Sequence, residues 1–209
     1  MKRLLIPIAV AVALVGSERA DADPVLLMFP PGGFIFECPA ECMRPQQQLA
    51  EQIGFQARVV PYTLWNVPRA MKDARASVPA HRRVFAYGES AGGLFAARLA
   101  QKGLVEAAAL QSPVANLPKW ISTFDDPGFV SALLKVPTLE ERRRYSPHRY
   151  RSREPIFAIA AAIDPQLTAA TRAWAAKRRR VWAKAEAGEH LELSRAERLL
   201  VWLRRFSRR

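Results

Sequence analysis

Short apolar runs alternate along this chain with stretches in which apolar residues return every three or four positions. Val25-Leu26-Leu27-Met28-Phe29 is apolar throughout, as a strand buried on both faces of a parallel sheet must be, and Pro30-Pro31-Gly32-Gly33 stops it. A helix follows, with Pro45 suited to its first turn, Leu49, Ala50 and Ile53 on one side, and Gly54 placed to end it. Gln56 to Tyr62 predicts a second strand and Pro68 to Ala76 a weakly patterned helix. Arg83 to Tyr87 predicts a third strand, Ala91 to Lys102 its helix, and Val105 to Leu110 a fourth strand. Gln111 to Arg153 has several prolines and no sustained period, which predicts an irregular, lid-like excursion over the sheet edge. The alternation resumes with a strand over Pro155 to Ala160, a helix over Pro165 to Arg178 and a strand over Val181 to Ala185. Ser194 with Glu197 three residues on predicts a capping box for a last helix, whose apolar face is Leu199, Leu200, Leu203 and Phe206. The pattern is that of an α/β domain: a mostly parallel sheet of about six strands with helices on both faces.

The first 22 residues fall outside that alternation. Met1-Lys2-Arg3 is a short positive region, Leu4 to Gly16 a mostly apolar run of 13 residues, and Ala20-Asp21-Ala22 a small-residue cleavage pattern. A bilayer span needs about 20 apolar residues, so the segment predicts a signal peptide cut after Ala22, a domain over 23–209 and a secreted or periplasmic location. Loss of Lys2, Arg3 and Arg19 together with Glu18 and Asp21 takes the net charge from +13 to +12. Hydrophobic residues make up 50% and charged ones 24%, which excludes a disordered or polytopic membrane chain. The basic runs Arg142-Arg143-Arg144, Arg178-Arg179-Arg180 and Arg204-Arg205 lie far apart in sequence. Without a stacking-aromatic pattern they predict a solvated basic surface, at most weakly drawn to anionic surfaces, and no nucleic-acid partner. Cys38 and Cys42 predict a local disulfide in an oxidising compartment, since two thiols without further Cys or His ligands leave a metal shell half empty.

The chemistry concentrates at Gly88-Glu89-Ser90-Ala91-Gly92, between an apolar strand and a helix opening on Ala91-Gly92-Gly93. A serine raised on a strand-to-helix bend needs neighbours without bulk two residues before and after it, which Gly88 and Gly92 supply. A helix starting at Ala91 would turn its N–H groups and positive dipole end toward the serine. Tyr87-Gly88-Glu89-Ser90-Ala91-Gly92-Gly93 resembles the nucleophile elbow of the α/β-hydrolase superfamily, esterases and serine peptidases alike, and the resemblance extends over roughly Pro24 to Phe206. It implies an order of Ser, acid, His. Asp164, ending Ala160-Ala161-Ala162-Ile163-Asp164, stands where the family's acid would be, with Asp125 and Asp126 as rivals that read better as turn formers. His190, in Gly188-Glu189-His190-Leu191, matches the family's histidine; His148 is the rival, and His81 precedes the elbow strand at the wrong end. The oxyanion hole would use the amide of Ala91 and one from Pro31-Gly32-Gly33-Phe34. There prolines replace the His and first Gly of many esterases, so Gly33 or Gly32 must donate.

The mature chain begins at what corresponds to the family's third strand, so the first two strands of larger members are missing. Little chain is left for a cap, which favours an open site. The expected activity is hydrolysis of a carboxylic ester through an acyl-enzyme on Ser90, with a small-molecule or peptide acyl substrate and no metal or other cofactor. The excursion would supply the substrate pocket through Trp120, Phe124, Phe129 and Tyr145. Serine peptidase and acyltransferase chemistry use the same groups. A non-catalytic binding protein on this scaffold, or a protein whose basic surface is its function, are the readings from other classes.

Overall fold

The structure, a computed structural model, describes residues 23–208, so the predicted signal peptide lies outside it. Six strands form one sheet: β1 (Val25–Phe29), β2 (Gln56–Val59), β3 (Val84–Glu89), β4 (Ala108–Gln111), β5 (Ile156–Ala161) and β6 (Val181–Glu186). Every pairing is parallel and the order is β2-β1-β3-β4-β5-β6. The chain leaves β1 toward one side for β2 and returns on the other for β3, so the crevice between the ends of β1 and β3 is the switch point where such sheets bind ligands.

Helices cover both faces because the strand side chains alternate. Val25, Leu27 and Phe29 point into a core shared with α2 (Val67–Ala76), α3 (Ala91–Lys102) and α7 (Pro165–Ala176), through Met71, Leu94 and Trp174. Leu26 and Met28 point the other way, against Ala50 of α1 (Arg44–Gln52) and Leu199, Leu200 and Leu203 of α8 (Leu193–Ser207). The apolar runs were legible as strands because both of their faces are dry.

Three expectations change in the structure. The fourth strand starts at Ala108, not Val105: Gly103 takes a left-handed conformation (φ +70°) and Leu104 donates to Leu99 to close α3, and Val105 to Ala107 form the connection into the strand. The expected capping box on Ser194 and Glu197 does not form. The cap is Glu192, whose carbonyl accepts from Arg195 and Ala196, and its carboxylate lies 3.3 Å from the fully buried Arg195 guanidinium. The excursion is not irregular: it contains α4 (Leu117–Ile121), α5 (Pro127–Leu133) and α6 (Leu139–Tyr145). Asn116, Asp126 and Thr138 cap them through their side chains, Thr138 in a capping box with Glu141. Helices of five to seven residues are too short to display a period, yet Leu117, Ile121, Leu134 and Val136 are fully buried and tie the segment to the main core.

Leu200→Ala removes a fully buried side chain from the face sealed by α8 and should cost about 2–5 kcal/mol. Urea unfolding should show a lower midpoint with an unchanged slope; an unshifted midpoint would contradict this packing.

Candidate active site

Ser90 has φ +49° and ψ −116°, a conformation that L-residues avoid. Its surroundings enforce it. The Ser90 amide donates to Gln111 O at 2.9 Å, while its carbonyl accepts from Gly93 and Val114 at 3.1 Å each. The bend is tight enough to require the three glycines around it. A Cβ on Gly88 would lie 2.5 Å from the Gly92 carbonyl oxygen, one on Gly92 2.1 Å from Phe29 O, and one on Gly93 2.7 Å from the Pro113 ring. The Gly92 contact also draws the loop after β1 against the bend. Tyr62 pins that loop, donating to the carbonyls of Pro30 and Pro31 at 3.1 and 3.3 Å, and burial raises its phenol well above the ordinary value, so it stays a donor.

In that loop Gly32, Gly33 and Phe34 all have positive φ. Gly32 closes the turn: its carbonyl accepts from Ile35 and Phe36, and a Cβ there would strike Phe36 O at 2.3 Å. Gly33 faces the Trp120 ring, whose Cζ2 would stand 3.5 Å from an added Cβ. Among the described residues the amides of Gly32, Gly33 and Ala91 have no acceptor. Ala91 begins α3 and is fully buried, so an anion beside Ser90 would meet an unpaired N–H and the positive end of a 12-residue helix.

Asp164 and His190 reach the same place from β5 and β6. Asp164 is the N-cap of α7 but makes no capping bond; its Oδ2 is hydrogen-bonded to His190 Nδ1 instead. Ser90, Asp164 and His190 line one cavity of about 460 Å³, with Asn116, Lys119, Trp120, Thr123, Gln166 and Leu167 among its other walls.

The rivals sit elsewhere. Asp126 caps α5 through the Phe129 amide, and His81 precedes β3 at the opposite edge. His148 bonds Ala115 O through Nδ1 at 3.2 Å and does not line the cavity. Of the four aromatics expected in the pocket, only Trp120 lines it. Phe124 packs edge-on against Trp120 with ring centres 4.9 Å apart, Phe129 is exposed on a neighbouring apolar groove, and Tyr145 packs against the core. Cys38 and Cys42 form a disulfide across 6.0 Å between Cα atoms, in the connection between β1 and α1.

Gln111 and Ser112, which no motif marked, hold these segments together. Gln111 O takes the Ser90 amide and Gln111 Nε2 donates to Glu192 O at 3.0 Å. Ser112 Oγ donates to His190 O at 2.8 Å and accepts from the Ala161 amide at 3.1 Å. Two polar residues ending a buried apolar strand were the available signal. Beneath the bend, Glu89 is buried and accepts from Tyr87 Oη at 2.5 Å and from Gln46 Nε2 at 3.0 Å. Burial raises its carboxyl, against those hydrogen bonds and the nearby His190, which lower it.

No protein-family model matches the chain, and no curated protein matches its sequence. Solved structures do. A lipase/esterase from Lactobacillus plantarum superposes with a TM-score of 0.70 at 19% identity, over 92% of this chain and 89% of that one. An acetyl ester-xyloside bifunctional hydrolase from Caldicellulosiruptor lactoaceticus gives 0.68 at 16%, over 90% and 83%. An esterase from Thermogutta terrifontis gives 0.64 at 18%, over 91% and 85%. The chain has the α/β-hydrolase fold.

Gly92→Ala should destabilise the protein by about 3 kcal/mol, because backbone on both sides of the contact must move. Thermal melting should then fall by roughly 6–12 °C, and an unchanged melt would contradict the close approach of β1 to the bend. His148 offers a second test. Burial first, and then the positive charges of Arg149, Arg178 and Lys177, hold its ring below the ordinary 6.5, against the Ala115 hydrogen bond that raises it. The unfolded chain therefore binds the proton more readily, so stability should rise with pH up to about 6.5 and be lost on acidification below it. His148→Gln should flatten that slope in denaturation measured between about pH 5 and 7.

Proposed function

We propose that this protein is a serine hydrolase that cleaves a carboxylic ester, with Ser90 as nucleophile, His190 as general base and Asp164 as its orienting acid. The observation that carries the reading is the strained Ser90 bend opening on the same cavity as a hydrogen-bonded Asp164–His190 pair. The carboxylate accepts, so Nδ1 bears the imidazole proton and Nε2 keeps a lone pair. Nε2 takes the Ser90 Oγ proton as the oxygen attacks the ester carbonyl, and Asp164 stabilises the imidazolium. The unpaired amides of Ala91 and of Gly33 or Gly32 stabilise the oxyanion with the α3 dipole, a contribution of about 3 kcal/mol per donor in related chemistry. The imidazolium then protonates the leaving alkoxide. The acyl group remains on Ser90 until water, activated by the same ring, releases the acid.

The cavity suits a soluble ester of modest size. It is open, and Trp120, Leu167 and Ala170 give it an apolar wall beside the polar groups of Asn116, Lys119, Thr123 and Gln166. The disulfide fits a protein exported by its first 22 residues.

A fluorophosphonate probe should label the protein and leave Ser90→Ala unlabelled. Hydrolysis of nitrophenyl acetate by that variant should fall by about 10⁴-fold or more. Equal labelling of both proteins would remove Ser90 from the chemistry.

A further inference from the structure

The carboxyl edge of the sheet holds the proposed catalytic groups; the amino edge has a different character. Because all six strands run the same way, every segment entering a strand lies at that second edge. Residues 149–155 lead into β5, residues 177–180 into β6, and Arg82 and Arg83 into β3. α8 ends there too, since Arg83 donates to Ser207 O at 2.7 Å.

Arginine runs that are scattered in sequence are thereby gathered. Arg178 reaches the carbonyls of His148 and Arg149 at 3.3 Å each, and Arg180 donates to Arg153 O. Arg143, Arg144 and Arg149 line a cavity of about 370 Å³ with Tyr150 and Glu140. Two acids along the edge are already engaged, Glu106 by Arg83 at 2.6 Å and Glu154 by Arg180 at 3.8 Å. Arg151 and Arg179 are exposed and have no acidic partner among the described residues. Acids collect instead beyond the other ends of the strands, at Asp164, Glu186, Glu189 and Glu192. Cationic side chains therefore dominate the amino edge, while Glu186 and Glu192 at the other end are paired with Arg195 and Arg198.

We propose that this basic edge docks the protein on an anionic phospholipid surface, with the Ser90 cavity facing away from the bilayer. Guanidinium forks suit phosphate oxygens. The arginines entering β3, β5 and β6 spread over three strand pairings, about 14 Å at 4.8 Å per pairing, which suits a planar array of headgroups. A nucleic-acid strand would need rings to stack on, and Tyr150, the ring in the arginine cavity, is already covered by the Arg98 guanidinium 3.8 Å from its centre. The chain enters the sheet at this same edge: Arg82 donates to Asp23 O at 2.8 Å and Val25 to Arg83 O at 2.9 Å. The six residues of β3 separate the edge from Ser90 by about 20 Å, more than the screening length near 8 Å in physiological salt. A docked molecule keeps its cavity open to dissolved substrates.

The test is co-sedimentation of the mature chain, residues 23–209, with phosphatidylcholine vesicles, with and without phosphatidylglycerol. Binding should be about tenfold tighter with phosphatidylglycerol and should weaken as salt rises. Arg151→Glu combined with Arg179→Glu should remove that advantage. Lys72→Glu combined with Lys135→Glu, the same charge change at exposed positions away from the edge, should leave it within about twofold. Should the glutamate pair melt below the parent protein, Arg151→Gln with Arg179→Gln must still weaken binding. Retained binding in either arginine pair would overturn the proposal. Equal binding to both vesicle types would show attachment without the arginine charge, and tighter binding to duplex DNA would assign the edge to nucleic acid; either result ends it. Ester turnover, which rests on the function proposed above, is read separately. Turnover absent in solution strikes that function, whereas turnover lost only on vesicles strikes the orientation of docking.

Discussion

The structure depends on one backbone conformation, the left-handed bend at Ser90. A non-glycine residue there costs on the order of 1–3 kcal/mol and persists only where its neighbours over-determine it. Here they do so from three sides. The end of β1 packs on Gly92, the chain after β4 takes and gives hydrogen bonds to both peptide groups of Ser90, and Pro113 closes on Gly93. The central position of β3, flanked by β1 and β4, is what makes those clamps available. Strain at this point raises a hydroxyl above the sheet edge and starts a helix directly behind it.

The two residues after the apolar part of β4 extend that constraint to the rest of the site. Through Gln111 and Ser112, the Ser90 bend, the start of the Asp164 loop and the His190 loop share hydrogen bonds. Arg195 braces the His190 loop from beneath. It is fully buried, with carboxylates of Glu192 and Glu186 within 3.7 Å and the carbonyls of Ala187 and Glu189 accepting from it. Its two terminal nitrogens donate to those carbonyls, while Nε has no hydrogen-bond partner and faces Glu186 at 3.7 Å; the buried cation is held by paired carboxylates and orders this connection. The proposed base thus owes its place to polar groups buried well away from solvent.

One consequence of an all-parallel sheet is that its two edges are chemically independent. Residues entering strands and residues leaving them never mix, so the chain can place acids and the candidate site at one end and arginines at the other. The short helices after β4 belong to the site end, where Asn116, Lys119 and Trp120 wall the cavity, before the chain descends through α6 to the basic end.

Sequence alone determined the architecture and the Ser90 bend, because both are written in local pattern. Doubly buried strands must be apolar throughout, and a strand-to-helix bend of this tightness must have glycine at Gly88 and Gly92. The order Ser90, Asp164, His190 was legible by resemblance, and the described geometry brings the three to one cavity. Only the tertiary structure decided the rest. α4, α5 and α6 are too short for periodicity and declare themselves through caps and burial. Ser194 and Glu197 fit a capping box on paper, but the buried Arg195 draws the helix start to Glu192. Gln111, Ser112 and Arg195 act across 81, 78 and 8 or fewer positions of chain, respectively, and the arginine runs become one surface only when two strand entrances lie side by side. Local patterns report what each residue faces within its own element; which polar groups meet across elements is set by the packing that brings the elements together.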